Sequence, residues 1–222
     1  MTVERTIRVT GRGKLAVPPD TICLVITAEG RYPDYAEAMR RSAEDTEAVR
    51  GAIAAAGLDP KDLKTAHFGI NTEYEGVQDK NGSWIQRFAG YRCEHRMTIR
   101  FPRGSEQLSQ VMEGMARCPA AASFHVEYTV KDPEKVRNRL LKHAVSDSRK
   151  KAETLTRAAG VTLGDVVSID CSWGEGEIMS RPVNSVMMDK TATPEEACGF
   201  YMSMEPEDIS VEDTVTVIWS IR

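Results

Sequence analysis

The sequence contains no apolar run that approaches the roughly 20 residues needed for a transmembrane helix, so we expect no membrane span. Its first residues lack the basic and then apolar layout of a signal peptide, which predicts a cytoplasmic location. If a leader has been removed, the expected location is instead the periplasm. The net charge of −4 argues against a nucleic-acid partner, because nucleic-acid binders usually present a basic surface.

No Cys-x-x-Cys pair occurs among the five cysteines, which are odd in number and scattered along the chain. This pattern gives no sign of a metal knuckle or a redox pair. Without a signal peptide, it predicts five reduced thiols.

Catalytic motifs are also missing: the chain has no G-x-S-x-G, no P-loop and no H-E-x-x-H. Gly11-Arg-Gly13-Lys-Leu-Ala16 has the spacing of a dinucleotide fingerprint, but Pro18 and Pro19 follow where that motif needs a helix. The two glycines instead predict a bulge or close packing within a strand. We therefore predict a protein that is not an enzyme and needs no cofactor.

The clearest element is a long helix from Pro133 to Ala159. Asp132 has the side chain of an N-cap, proline fits the first helical position, and Gly160 can close the helix in a left-handed conformation. Residues spaced three or four apart predict one buried face, and several are small enough for close approach to a sheet. They are Val136, Leu140, Ala144, Ser148, Ala152, Leu155 and Ala159.

The other elements follow from apolar spacing and from turn residues. The first long helix is predicted at Pro33–Ala56, with Ala36, Met39, Ala43, Thr46, Val49 and Ile53 on its inner side, and a short helix is predicted at Ser105–Arg117. Predicted strands are Ile7–Val17, Thr21–Glu29, Thr65–Tyr74, Ile85–Phe101, Phe124–Val130, Asp165–Trp173 and Ile209–Ile221.

These elements predict an α+β fold with a mainly antiparallel sheet and two long helices and one short helix on one side. We expect a single domain over residues 1–222. An echo of Ala55-Ala-Gly57 in Ala158-Ala-Gly160 suggests duplication of a strand–helix–strand–strand unit, with similar subdomains at about 1–103 and 104–222. Residues 174–208 lack regular spacing and predict an irregular excursion, too long for an ordinary connection.

Candidate metal ligands lie on the hairpin predicted over residues 65–101. Cys93 and His95 are two residues apart on one strand and therefore share a face. His67 would join them if the pairing register placed it beside His95, whereas a shift of one residue would send it to the other face. The more conservative interpretation treats all three as ordinary polar positions of a sheet.

Two further groups have both a structural and a binding interpretation. The long helix carries eight lysines and arginines, which form either a solvated face or a site for an acidic partner. Methionines of the excursion either pack on the core or form a subunit interface, since methionine suits adaptable apolar contacts. The predicted interface residues are Met187, Met188 and Met202.

Four stretches, taken together and in order, resemble the SIMPL-domain family over nearly the whole chain. The last of them departs from the family pattern because Glu207 stands where a glycine is usual. The stretches are Ile7–Gly13 with Pro19-Asp20, Thr65–Ile70 with Tyr74 and Gly90-Tyr91, Ala144–Gly164 with Lys151-Ala152 and Gly160, and Met204–Val217.

The resemblance implies a bacterial protein of unsettled function. Family members are mostly envelope or periplasmic proteins, some are linked to oxidative stress, and some assemble into large rings. It supplies no catalytic residues. We therefore expect a non-enzymatic protein that forms a homo-oligomer, with no other protein partner identified. The alternative is a small-molecule or metal-binding protein, or a cryptic enzyme, that uses the 65–101 hairpin or the 174–208 excursion.

Overall fold

The computed structural model describes residues 5–78, 80, 82–171, 178–179 and 205–222. Its helices and strands, in chain order, are β1 (Thr6–Val17), β2 (Thr21–Tyr32), α1 (Tyr35–Ala55), β3 (Lys64–Gln78), β4 (Trp84–Pro102), α2 (Ser105–Ala116), β5 (Ala122–Thr129), α3 (Pro133–Ala158), β6 (Leu163–Asp170) and β7 (Ile209–Ile221). Two compact units divide the described chain. Unit 1 holds residues 5–19, 129–171, 178–179 and 207–222, and unit 2 holds the others.

Unit 1 is a three-stranded antiparallel sheet with α3 packed on one face. The strand order is β1-β7-β6, and β1 pairs with β7 along its whole length, from Thr6 opposite Ser220 to Val17 opposite Ile209. Alternate side chains of β1 and β7 point toward the helix, as the period of a strand requires. They form its apolar core together with Ala144 and Ala152 of α3.

α3 begins and ends as the sequence predicts. The Asp132 carboxylate accepts a hydrogen bond from the backbone N–H of Lys135 at 2.9 Å, and Gly160 has a φ of +68°. Every fourth residue is buried, namely Val136, Leu140, Ala144, Ser148, Ala152 and Thr156. Leu155 and Ala159, predicted on this face, are instead exposed, Leu155 by 51%, because the spacing of four continues to Thr156.

β1 and α3 approach each other closely at two glycines. A Cβ atom at Gly11 would collide with the backbone oxygen of Ala144, and one at Gly13 would collide with that of Leu140. This confirms close packing as the reason for the glycines. Side chains of α3 also bond the open edge of β1: Asp147 accepts from the Arg12 N–H at 2.8 Å. Strand edges that lack partners tend to pair with other chains, so this contact protects β1.

Unit 2 is a four-stranded sheet in the order β3-β4-β2-β5, with α1 and α2 packed on one face. β4 is antiparallel to both of its neighbours, β2 and β3. The prediction that β2 is buried on both faces is confirmed, since Ile22, Cys23, Leu24, Val25 and Ile26 are all buried.

The predicted inner face of α1 is wrong in the first half of the helix. The buried residues are Ala38, Ser42, Val49 and Ile53, whereas Ala36 and Ala43 are exposed and Met39 is 42% exposed. A polar residue, Ser42, occupies the buried stripe. A prediction that relies on the spacing of apolar residues passes over Ser42 and places exposed neighbouring residues on the inner face.

The α+β class and the mainly antiparallel sheet are confirmed, and no helix in the described ranges is long and apolar enough to cross a bilayer. In unit 2, β3 follows the long helix α1 and lies beside the next strand, β4. In unit 1, β6 follows the long helix α3 and lies beside the next strand, β7. The predicted duplication, with subdomains at 1–103 and 104–222, stays a prediction. Most of the 174–208 excursion lies outside the described residues.

Candidate functional site

A bulge in β3 decides which of the predicted ligands meet. Thr65 lies opposite Met97, so a regular ladder would place His67 opposite His95. The register shifts by one residue between Thr65 and His67, and Phe68 lies opposite His95 instead. His67 therefore points to the face away from His95.

His95 is buried beneath α1 and both of its ring nitrogens are engaged. Nδ1 lies 3.1 Å from the Thr46 hydroxyl and Nε2 lies 2.9 Å from the Thr65 hydroxyl. The Thr46 hydroxyl donates its proton to the Ser42 carbonyl at 2.7 Å, so Nδ1 must carry the hydrogen that it shares with Thr46. Thr65 then donates to Nε2. These hydrogen bonds give both ring nitrogens of a neutral imidazole a partner. Neither nitrogen is therefore free to bind a metal.

The environment of this face favours neutral side chains. Burial, and after it the charge of Arg50, lowers the pKa of His95. Burial also raises the pKa of the Cys93 thiol, although a hydrogen bond from Ser42 opposes the shift. A protonated, buried thiol is a poor nucleophile and a poor metal ligand. Within the described ranges, no cluster of three or more His, Cys, Asp or Glu side chains has a metal-binding arrangement.

The side of the hairpin that carries Cys93 and His95 extends beyond the N-terminal end of α1. There it forms an aromatic surface that is exposed to solvent. β2 pairs with β4 only from Tyr91 to Pro102, so residues 73–78 of β3 and 84–90 of β4 form a two-stranded arm. A second bulge, between the pairs Glu73–Gly90 and Tyr74–Phe88, adds Ala89 to β4. This extra residue keeps Phe88 on the side of Tyr91, and the two rings are 5.3 Å apart.

We call this surface the aromatic face and define it as the side chains of Tyr35, Tyr74, Trp84, Phe88 and Tyr91. Neighbouring rings meet edge to face: Tyr35 lies 5.9 Å from Tyr91, and Tyr74 lies 5.9 Å from Phe88. This geometry is favourable for aromatic pairs and gives the face a defined shape. Trp84 lies over Gly76, near the end of the arm.

The aromatic face is open to solvent, whereas the opposite side of the arm is ion-paired. Trp84 is 73% exposed, Tyr74 56%, Tyr35 55% and Phe88 45%. On the other side, Arg87 binds Glu75, with 3.0 Å from its Nε to Oε1, and Arg31 binds Glu73. The arm therefore presents exposed aromatic side chains on one side, and on the other side ion pairs together with Val77 and the exposed Ile85.

The aromatic content of the hairpin is a sequence signal for this surface that no catalytic or metal-binding motif captures. Six of the fourteen aromatic residues fall within 65–101. The predicted strand Ile85–Phe101 includes the β4 side of the arm from Ile85, whereas the predicted strand Thr65–Tyr74 ends four residues before β3 does. The predicted interface residues Met187, Met188 and Met202 lie outside the described residues.

Comparisons with known proteins agree on one family. The family model SIMPL, described as a protein of unknown function (DUF541), matches residues 7–219. The 26 kDa periplasmic immunogenic protein of Brucella melitensis is 29% identical over 163 residues, which cover 73% of this chain and 65% of that protein. The uncharacterized protein YggE of Edwardsiella ictaluri is 24% identical over 165 residues, which cover 74% and 65%. The matches thus span less than two thirds of these relatives.

Among solved structures, the regulatory subunit of aspartate kinase from Thermus flavus aligns over 96% of this chain and 90% of its own. Its identity is 11% and its TM-score is 0.18, which is too low to indicate a shared fold.

Proposed function

The chain belongs to the SIMPL family, and from that premise we propose that it is a non-enzymatic periplasmic protein that assembles with further copies of itself through the aromatic face. The uncovered aromatic side of the arm is the observation that carries this proposal.

The size of the aromatic face supports a protein contact. Four of its side chains are about half exposed or more, which gives on the order of 400–500 Å² of open apolar surface. A patch of this size is at the upper end for a monomer and often marks an interaction site. A second copy that covered it would bury roughly half of the ~800 Å² that each partner contributes to a standard interface.

The edge of the sheet supplies additional contact. β3 lies at the outer edge of the unit 2 sheet, so along the arm its outward backbone groups face no neighbouring strand of the described residues. Such an edge readily pairs with another chain. β1 is less available, because Asp147 of α3 already bonds its edge.

The proposed location follows from the relatives. The Brucella protein is named as periplasmic, and the cytoplasmic location expected from the first residues of the chain has no support from the relatives. We therefore adopt the periplasmic alternative. The link to oxidative stress that the resemblance implied stays a prediction.

The alternative of a metal or small-molecule site in the hairpin has less support. The bulge in β3 turns His67 away from Cys93 and His95, and both nitrogens of His95 already have hydrogen-bond partners. A metal would have to displace these threonines.

The test is the mass in solution of the chain at tens of micromolar, measured by light scattering together with metal analysis. The intact chain should be an oligomer without stoichiometric metal. Trp84→Ser with Phe88→Ser should shift it toward monomer without changing the unfolding midpoint, because both side chains lie largely outside the core. A matched control, Val167→Ser with Ile169→Ser, removes exposed apolar side chains of β6 and should leave the mass unchanged.

A monomeric intact chain would overturn the assembly proposal, and a monomer with bound metal would favour the alternative. If only the control pair dissociates the oligomer, the interface lies on β6. If only Met187→Ser with Met188→Ser dissociates it, the interface lies on the predicted methionines.

A further inference from the structure

Positive charge is concentrated on α3. The helix carries eight lysines and arginines against three carboxylates, a net charge of +5, whereas the whole chain has a net charge of −4. The remainder of the chain therefore has a net charge of −9, and α3 differs from it in the sign of its charge.

The outward cations of α3 form a stripe along the helix. We define the basic stripe as Lys135, Arg139, Lys142, Arg149, Lys150 and Arg157, all of which are exposed. Apart from the neighbours Arg149 and Lys150, which lie about 100° apart, successive members are three, four, seven or eight residues apart, so the stripe occupies one sector of the helix surface, away from the buried residues. From Lys135 to Arg157 the stripe is about 33 Å long.

Most of the basic stripe has no ion-pair partner within the described ranges. Arg149 binds Glu153, and Lys151, which lies outside the stripe, binds Asp147. The other five cations of the stripe form no salt bridge with described residues. Most of the charge of the stripe is therefore available to a partner, and only Lys150 of these five lies close enough to Asp147 to help lower the pKa of that carboxyl.

We propose that the basic stripe docks the protein on the surface of an anionic lipid bilayer. The inference goes beyond the proposed function, since it concerns unit 1 and does not depend on the aromatic face. A line of cations on one helix can meet a flat anionic surface along its full length, in the manner of a surface-lying basic segment. Interactions reach only about 8–10 Å in salt, so the acidic remainder of the chain opposes this contact weakly.

A nucleic acid is a less suitable partner. Proteins that bind single strands combine cations with aromatic side chains on which bases stack, and α3 contains no Phe, Tyr or Trp. The acidic balance of the whole chain also disfavours a duplex.

Binding of the full chain to vesicles tests the proposal. The vesicles contain about 30% phosphatidylglycerol in phosphatidylcholine, with pure phosphatidylcholine as the reference. The chain should sediment with the anionic vesicles only, and about 0.5 M salt should release it. Each Lys or Arg near such a surface strengthens binding about fivefold, so Arg139→Gln, Lys142→Gln and Lys150→Gln together should weaken it about a hundredfold.

Two further variants test whether binding depends on the cations of the basic stripe or on the total positive charge of the chain. Arg139→Lys with Lys142→Arg and Lys150→Arg keeps the charge and should bind like the intact chain. Arg40→Gln, Arg41→Gln and Arg50→Gln removes three charges from α1, where each arginine faces a glutamate, and should change binding no more than a few-fold.

Failure of the intact chain to bind anionic vesicles at low salt would overturn the proposal. Equal loss in the α1 variant, or tighter binding to a DNA duplex than to the vesicles, would also overturn it. The mass of each variant is measured in parallel. An intact chain that is an oligomer but does not bind anionic vesicles refutes docking alone, and an intact chain that binds the vesicles but is a monomer refutes the proposed function alone.

Discussion

At the scale of single residues, two inserted residues decide which side chains meet on the hairpin. The bulge between Thr65 and His67 removes His67 from the face of His95, and the bulge at Ala89 keeps Phe88 on the face of Tyr91. A strand alternates faces with every residue, so one inserted residue reverses all later side chains. A cluster of metal ligands is lost in the first case and a continuous aromatic face is kept in the second.

His95 makes stability depend on pH. Its folded-state pKa is lowered by burial and by Arg50, so the folded protein binds this proton less readily than the unfolded chain. The contribution to the free energy of unfolding is full above the ordinary value of about 6.5 and declines as pH falls through the lower folded-state pKa.

We expect urea unfolding to show a smaller loss of stability between about pH 7.5 and about pH 5 in His95→Gln than in the intact chain. The control is His143→Gln, which removes an exposed histidine of α3. Equal pH dependence in the intact chain and in His95→Gln would contradict the structural role of the neutral imidazole.

At the scale of elements, α3 and β1 hold unit 1 together through unusually small residues. Gly11 and Gly13 let the helix backbone approach the strand, and Ser148 donates from its hydroxyl to the Val9 carbonyl at 3.2 Å. Close contact of this kind leaves no room for larger side chains on the facing positions.

Ala152→Leu should therefore destabilise the protein by about 1–3 kcal/mol, because Ala152 is fully buried against the sheet and added methylenes overpack the contact. The measurement is the free energy of unfolding in urea. Ala158→Leu is the matched control at an exposed position of the same helix and should change it by less than about 0.5 kcal/mol. An unchanged value for Ala152→Leu would mean that this helix face is not packed on the sheet.

At the scale of the whole molecule, the two units place their exposed chemistry on different elements. Unit 2 presents an aromatic face and an open edge on its arm, and unit 1 presents the basic stripe of α3. The proposed assembly and the proposed docking on a bilayer thus involve separate residues, and we expect them to respond to separate substitutions.

The number of reduced thiols is a property of the whole chain. Among the described residues, Cys23, Cys93, Cys118 and Cys171 form no disulfide, and Cys198 lies outside these residues. Titration in denaturant without reductant should find all five thiols. In the native protein Cys23 and Cys93 should react slowest, since both are buried. A count of three or one would indicate disulfides and contradict the prediction.

The sequence determined most of the secondary structure, because those signals are local. Asp132, Pro133 and Gly160 mark the ends of α3 within one turn of the helix, and the alternation from Ile209 to Ile221 predicts β7 with its observed bounds. The class follows from the order of these elements.

Tertiary structure alone decided the register of the hairpin and the buried stripe of α1. Register depends on bulges, which no local propensity marks, and one residue of shift moved His67 away from His95. Ser42 is buried because Cys93 of the sheet accepts its hydrogen bond, so its burial depends on a partner some fifty residues away. The aromatic face likewise forms only when both strands of the arm pair, since its rings come from positions that share no period along the chain.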